Sequence, residues 1–330
     1  MEPIIGLVHN EPIPPGQPNW ESSIDVLAQV EAIVGALGEL GRASRRIAFT
    51  RDLDRFVTSV REHRIDIAIN LCETVDEDPQ LAGHPAAVLE LLGLPFSGSP
   101  SAAISASTDK HLAKLILKGG GIRTPVSVFY DGTFDANPEC LNYPVILKPQ
   151  CQDASIGIDQ DSVLRSAAEL HARVEAFHRT YGSFLVETFV HGREFNVSVV
   201  GNAELTVMPI AEIDFSGFPR DLLNIVGYRA KWDAESLEYR ESRRVFPVLD
   251  ADLQVRITAI AQRCYRLFGL RDYGRIDIRV DDDEQIHVLE VNANPCLSPD
   301  AGFAAAVRQG GIVYRDMVSK LLQFIEDRRI

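Results

Sequence analysis

The sequence predicts a mixed chain of α/β and α+β units, and three observations lead to that expectation. Strand and helix patterns alternate over residues 1–98, the mark of a parallel sheet with crossover helices. Residues 99–189 change to small residues, a helix ended by glycines and several short strands, a small α+β unit. Residues 190–330 hold two neighbouring strand patterns, "GRIDIRV" and "IHVLEVN", in which charged and apolar residues alternate. A length of 330 residues accommodates two or three domains of ~100–200 residues.

Each element has a local reason. "IIGLVHN" is a short apolar run suited to a buried strand. "SSIDVLAQVEAIVGALGELG" carries Ile24, Leu27, Val30, Ile33, Val34 and Leu37 at helical spacing, and Gly38 and Gly41 mark its end. "IDIAINLC" is a second strand, and "AAVLELLGLP" a helix stopped at Gly93-Leu94-Pro95. "STDKHLAKLILKGGG" is a helix ended by Gly119–Gly121, "YPVILKP" a buried strand, "SVLRSAAELHARVEAFHRTYG" an amphipathic helix and "SFLVETFV" another strand. Beyond residue 190 come the strand "EFNVSVVG", the helix "ADLQVRITAIAQRCYRLFGL", the charged strand pair and a C-terminal helix. No internal repeat or low-complexity tract is present.

Composition narrows the function. Apolar residues make up 45% and charged residues 24%, ordinary for a globular protein. The formal net charge of -14 argues against wholesale binding of nucleic acid or an anionic membrane, while leaving room for a small basic pocket. No segment approaches the roughly 20 apolar residues of a membrane span, and the N-terminus lacks the cationic start of a signal peptide. Cysteines 72, 140, 151, 264 and 296 are scattered and odd in number, so neither a disulfide framework nor a zinc site is expected. The expectation is a cytoplasmic, enzyme-like protein.

The strand pair carries the most chemistry. Arg275, Asp277 and Arg279 alternate with Gly274, Ile276, Ile278 and Val280. In the second strand, strict alternation places Ile286, Val288, Glu290 and Asn292 on one face and His287, Leu289 and Val291 on the other, with His287 a core histidine. A two-residue turn at Asp283–Glu284 then sets Asp277 opposite Glu290 and Arg275 opposite Asn292, with side chains about 4.5–5.5 Å apart. Two carboxylates that close need a cation, and oxygen donors of this kind suit Mg2+ or Mn2+ rather than zinc. The same pattern also fits a solvated polar face on which Arg275 and Arg279 pair the acids. Lys148, at the end of an apolar strand, calls for an anion, and the small polar residues Gln150 to Gly157 after it can turn backbone N–H groups toward phosphates. A lysine snorkelling from a strand end, or a solvated Lys110 at a helix start, gives the same pattern. Cys151 and Cys296 read as small packing residues rather than nucleophiles.

Together, "NLCE", "LLGLPFSGS", "STDKHLAKLIL", "VILKP", "FLVETFVHGREFNV", "GYRAKW", "YGRIDIRV" and "LEVNANP" resemble, in order, the motifs of the ATP-grasp fold and within it the D-alanine–D-alanine ligases and their relatives. The resemblance implies an N-terminal parallel α/β domain over 1–98, a central lid domain over 99–189 and a C-terminal metal-binding domain over 190–330. It implies that Lys110 and Lys148 hold ATP phosphates, that Glu187 and the backbone near Val190 meet adenine, and that Glu194 meets the ribose. It implies that Asp277, Glu290 and Asn292 bind Mg2+, as two ions, with Mn2+ as an alternative. Arg275 would steady a developing oxyanion, Lys231 would reach over the γ-phosphate from a mobile loop, and Ser155 would help the phosphate loop close the site. The implied reaction converts a carboxylate to an acyl phosphate that an amine then attacks. Small amino-acid or peptide-like substrates and a homodimer are implied with it.

Several positions depart from that family's pattern. The N-terminal loop reads "HNEPIPPGQPNWESS", with prolines in place of a glycine-rich stretch, and Glu11 or Glu21 in place of the usual glutamate. Ala154 stands for a serine beside Ser155, and Trp232 for a tyrosine after Lys231. Beyond the metal strand, "NPCLSPDAG" places Cys296 where the family has glycine and Ala301-Gly302 where it has a serine-leucine clamp for the second substrate's carboxylate. The expected function is therefore an ATP-dependent carboxylate–amine ligase for substrates other than two D-alanines. A catalytically silent nucleotide-binding module, a true D-alanine–D-alanine or D-alanine–hydroxy acid ligase, and an enzyme with another hydroxyl acceptor are the alternatives.

Overall fold

The computed structural model describes residues 2–17, 20–133 and 140–328. The N-terminal unit comprises β1 (Ile5–Asn10), α1 (Trp20–Glu39), β2 (Ser44–Phe49), α2 (Leu53–Glu62), β3 (Ile67–Asn70) and α3 (His84–Leu91). Its strands form a parallel sheet in the order β2-β1-β3, and Phe96 adds a parallel bridge to Ala68. Every residue of β1 is buried because helices cover both faces. Ile5 and Leu7 meet Val26, Val30 and Ile33 of α1, while Val8 packs with Phe49 and Phe56 on the other side. β2 and α2 were not expected from the pattern. β2 is an edge strand whose exposed Arg45 and Arg46 break its apolar run, and α2 starts at Asp52, which caps the Arg55 N–H.

Next come α4 (Ser101–Thr108), α5 (Lys110–Gly119), β4 (Ser127–Tyr130), β5 (Val145–Pro149), β6 (Val163–Leu164), α6 (Ala167–Tyr181) and β7 (Phe184–Thr188). The strands form an antiparallel sheet, β4-β7-β5-β6. Leu170, Val174 and Phe177 of α6 cover it, packing on Val145, Leu147, Phe184 and Val186. α4 and α5 belong elsewhere. Ala103, Ile104, Ala113 and Leu117 share a core with Ile257, Ile276 and Val288, so the stretch 99–189 divides between two cores.

The remainder comprises β8 (Arg193–Gly201), β9 (Leu205–Val207), β10 (Ala211–Asp214), α7 (Tyr228–Trp232), α8 (Leu237–Glu241), β11 (Arg243–Val245), α9 (Ala251–Leu267), β12 (Asp272–Val280), β13 (Ile286–Asn292), α10 (Gly302–Gln309) and α11 (Tyr314–Asp327). The sheet runs β11-β10-β8-β12-β13, with β9 on β8. α9 covers one face through Ile257, Ala261 and Cys264. α11 returns to the N-terminal unit, where Met317, Val318, Leu321 and Ile325 pack with Val26, Val30 and Ile33 of α1. No helix among the described residues is long and apolar enough to cross a membrane.

Asp272 ties these parts together at the start of β12. It is fully buried, with φ at +66°, a conformation that aspartate adopts more readily than most residues. Its carboxylate accepts from the Gly98 N–H (2.8 Å), from Asn202 Nδ2 (3.1 Å) and from the guanidinium of Arg328 beyond α11 (2.9 Å). Removing it leaves the Arg328 cation and the Gly98 N–H without their acceptor. Asp272→Ala is expected to destabilise the protein by about 3–5 kcal/mol, read from urea unfolding. A loss below about 1 kcal/mol, the scale of an exposed pair, would contradict that role.

Candidate active site

β12 and β13 pair as expected where the chemistry lies, but by a different route. Asp277 is opposite Glu290 and Arg275 opposite Asn292, whereas Ile278, Arg279 and Val280 pair with Val288, His287 and Ile286. The register therefore slips by one, and Leu289 is the extra residue of a bulge. The connection is a three-residue loop, Asp282–Glu284, and not the expected two-residue turn. The Asp281 N–H donates to the Gln285 carbonyl (3.1 Å), and Glu284 takes φ of +56° in place of a glycine. Loop and bulge shift the register in opposite senses and cancel at Asp277.

The bulge also corrects the expected faces. Ile286 and Val288 join Val291, Ile276, Ile278 and Val280 in one apolar core, opposite in facing to Glu290 and Asn292. His287 lies on the charged face opposite Arg279, its Nε2 2.8 Å from Asp281 Oδ2, and is not a core histidine. The bulge is pinned from outside. The Val288 N–H donates to the Arg123 carbonyl (2.9 Å), and Thr124 Oγ1 donates to the Val288 carbonyl (2.8 Å).

That pin leads to the lysines. Lys114 Nζ donates to Thr124 Oγ1 (2.8 Å) and sits 2.5 Å from Glu187, which also holds Lys148 at 2.6 Å. Burial works against the Glu187 carboxylate, but the two lysines outweigh it and hold its pKa below the usual glutamate value. Burial pushes Lys114 down to about 8, with Glu187 opposing and Lys148 adding to the fall. Lys110 Nζ donates to the Gln152 carbonyl (2.5 Å) and lies 3.5 Å from Asp153 and 3.9 Å from Glu290. These acids overcome the cost of burial and keep its pKa above the ordinary lysine value. The structure thus brings Lys110 to Glu290 of β13 and Lys148 to Glu187.

Two loops close over this cluster. Ser155 Oγ donates to the Val226 carbonyl (2.7 Å), Trp232 Nε1 to the Ala154 carbonyl (3.0 Å) and the Tyr228 N–H to the Ile158 carbonyl (2.8 Å). Ala154 and Ser155 both have positive φ, so the loop over residues 150–157 turns sharply here. Lys231 keeps an open path to water, yet the surrounding protein and then Arg275 lower its pKa, against the pull of Glu290, Asp277 and Asp153. At the start of β8, Glu194 is held by Arg279 (2.8 Å), whose Nη1 also donates to the Val190 carbonyl (2.6 Å). Half of the solvated-face alternative is therefore realised, since Arg275 grips Asp277 through both oxygens (2.8 and 2.9 Å).

The donors suit a hard divalent cation. Asp277 gives its oxygens to Arg275 and Asn196 (2.8 Å) and keeps limited acceptor capacity, while among the described residues Glu290 has one ion-pair partner, the more distant Lys110. Asn292 Oδ1 accepts from the Asn294 N–H (3.1 Å). Two carboxylates and an amide on one face could hold Mg2+ with few protein oxygens, the rest coming from water and phosphate. No group of three or more His, Cys, Asp or Glu side chains forms a metal cage among the described residues.

Beyond Asn292 lies an end of the cleft that sequence reasoning missed. Gln29 of α1 donates to Glu73 (2.9 Å) and accepts from the Leu297 N–H (3.0 Å). Cys296 Sγ lies 3.2 Å from Asp25, and burial pushes its thiol far above the normal range, which is wrong for a nucleophile. Burial raises the Cys151 thiol to about 11. Burial, helped by Asp25 and Asp153, also raises Glu73 to about 7 despite the Gln29 hydrogen bond and the attraction of Lys231. Lys114 had a visible signal, since it follows Lys110 by four residues on the same helix face. Glu73 and Asp153 lay inside the "NLCE" motif and the loop over residues 150–157 without being singled out, and Asp25 and Gln29 had no signal, because their partners lie far away in the chain.

The comparisons with known proteins agree with this geometry. The family profile described as "D-ala D-ala ligase C-terminus" matches residues 129–323. A protein of Sinorhizobium fredii called "Uncharacterized protein y4sG" is 27% identical over 90% of this chain and 87% of its own length. A D-alanine–D-alanine ligase of Desulforudis audaxviator is 30% identical over 90% of this chain and 92% of its own. The crystal structure of D-alanine–D-alanine ligase from Bacillus anthracis complexed with ATP superposes with a TM-score of 0.79, covering 99% of this chain and 98% of that one at 19% identity. Its fold is therefore the ATP-grasp fold, and the chain belongs to the D-alanine–D-alanine ligase family.

Proposed function

We propose that this ATP-dependent carboxylate–amine ligase joins amino-acid or peptide-like substrates that are not two D-alanines. The observation that carries the ligase reading is the convergence of Lys110, Lys148, Lys231, Arg275, Asp277 and Glu290 on one cleft beneath two latched loops. Lys110 and Lys148 hold the ATP phosphates, Lys231 approaches the γ-phosphate from α7, and Glu187, Val190 and Glu194 form the nucleoside side of the cleft. A substrate carboxylate oxygen attacks the γ-phosphorus and ADP leaves. The amine of the second substrate then attacks the acyl carbon, losing a proton as phosphate departs. Arg275 faces the oxygen that becomes negative, held rigid by Asp277. Asp277, Glu290 and Asn292 would hold Mg2+, which would neutralise phosphate charge.

What supports a different substrate pair is the far end of the cleft. Glu73 and Asp25 bring carboxylates there, with Cys296 between the strand end and α1, and Ala301-Gly302 offers no hydroxyl. A site whose polar partners differ rejects the original ligand strongly. Incubation with ATP, Mg2+ and pooled L- and D-amino acids and dipeptides, read by mass spectrometry, should yield an amide product and ADP. Brisk ADP release with D-alanine alone would overturn the substrate reading. Nucleotide binding without turnover in any pool would overturn the ligase reading.

Glu290→Gln should lower turnover by about 10²–10³-fold with an unchanged melting curve, and normal turnover would remove the metal assignment. Glu73 generates a pH prediction. Its folded pKa of about 7 lies above the ordinary glutamate value of 4.5, so the folded state binds more protons between these values and stability falls as pH rises through that window. Glu73→Gln should therefore melt higher than the parent at pH 8 and show no such gain at pH 4.5. A difference in melting temperature that is constant across that range would contradict the shift.

A further inference from the structure

The sheet that carries the metal strand also carries five arginines: Arg193 on β8, Arg243 and Arg244 on β11, and Arg275 and Arg279 on β12. Four of them pair with a carboxylate, namely Glu212, Glu241, Asp277 and Glu194 in turn. Arg244 is the exception: among the described residues no carboxylate oxygen lies within 4.0 Å of it. Its Nη1 donates to the Asp300 carbonyl (2.9 Å), which anchors the guanidinium against the loop that follows the metal strand. A Cβ on Gly302 would stand 3.7 Å from its Nε and Nη2, so glycine there leaves that flank of the fork open.

The surroundings favour an anion. Arg275 and Arg308 both act on Arg244 as like charges, while Asp300 attracts it. Arg308 is engaged by the neighbouring Pro299 carbonyl (3.3 Å) and, like Arg244, has no carboxylate partner among the described residues. The first turn of α10, which begins at Gly302, has no side-chain cap and adds its N–H groups to the same side. A planar guanidinium with free donors binds a carboxylate through two parallel hydrogen bonds.

We propose that Arg244 is a specificity-determining residue that binds a carboxylate on the amine-supplying substrate, which is therefore an amino acid or a peptide with a free carboxyl group. Arg244 makes with its side chain the contact for which Ala301-Gly302 has no hydroxyl. The proposal rests on the ligase reading but is tested without turnover. Saturation-transfer NMR would be recorded on the whole chain with Mg2+ and a non-hydrolysable ATP analogue, using pooled amino acids and dipeptides and the same compounds with the carboxyl amidated. The free acids should bind the parent protein and the amides should not. Arg244→Gln should weaken acid binding by about 10–100-fold and leave the affinity for the nucleotide analogue unchanged, with Arg244→Lys in between. Equal binding of acids and amides to the parent protein, undiminished acid binding by Arg244→Gln, or no binding of any acid would overturn it. The acid–amide comparison needs no variant, so it holds even if Arg244→Gln fails to fold. Acids that bind while ADP release stays absent in every pool would count against the ligase reading and not against Arg244.

Discussion

One extra residue, Leu289, is the constraint on which the site depends. Without a register shift, a strand of alternating period sends Val288 and Glu290 to the same face, and one of them must then stand on the wrong side. The bulge lets Val288 enter the core beside Ile278 while Glu290 faces Asp277. The same bulge supplies the Val288 carbonyl to which Thr124 donates, and Lys114 donates to Thr124 in turn, so its geometry passes through Glu187 to Lys148 on the other sheet. The acids of the hairpin and the lysines of the neighbouring sheet are thereby positioned by one connected set of hydrogen bonds and ion pairs.

Charge is arranged against the overall balance. The chain carries a formal -14, yet its cleft gathers Lys110, Lys114, Lys148, Lys231, Arg244 and Arg275. Lys110 and Lys114 are buried and Lys148 and Arg275 largely so, which is costly unless they are paired, and Glu187, Asp277, Glu290 and Asp153 supply the pairing. An incoming triphosphate would compete with Asp153 for Lys110, and the latched loops of Ser155 and Trp232 would close over it. One end of the site is thus built of lysines shared among acids, while the opposite end combines Glu73 and Asp25 with Arg244, which has no carboxylate partner among the described residues.

Local pattern made much of this legible. The strand run of β5 ending in Lys148, the period-two charges of β12 and the order of the motifs all pointed to the fold and to residues that the structure brings close together. The facing of Asp277 and Glu290 was anticipated through two errors that cancel, a turn taken one residue too short and a bulge not foreseen. Bulges leave little trace in a sequence because the extra residue, here Leu289, looks like any other apolar strand residue. β2 escaped because an edge strand can leave Arg45 and Arg46 in water. The Gln29–Glu73 and Cys296–Asp25 contacts join residues 44 and 271 positions apart, and no local period encodes such pairs.

The most direct test of the central claim is a crystal structure with ATP and Mn2+, with anomalous diffraction recorded at the manganese edge. The bulged hairpin predicts anomalous peaks bonded to Asp277, Glu290 and Asn292 and bridging to the phosphates beside Lys110 and Lys148. Peaks ligated elsewhere, or none on β12 and β13 with nucleotide bound, would contradict it.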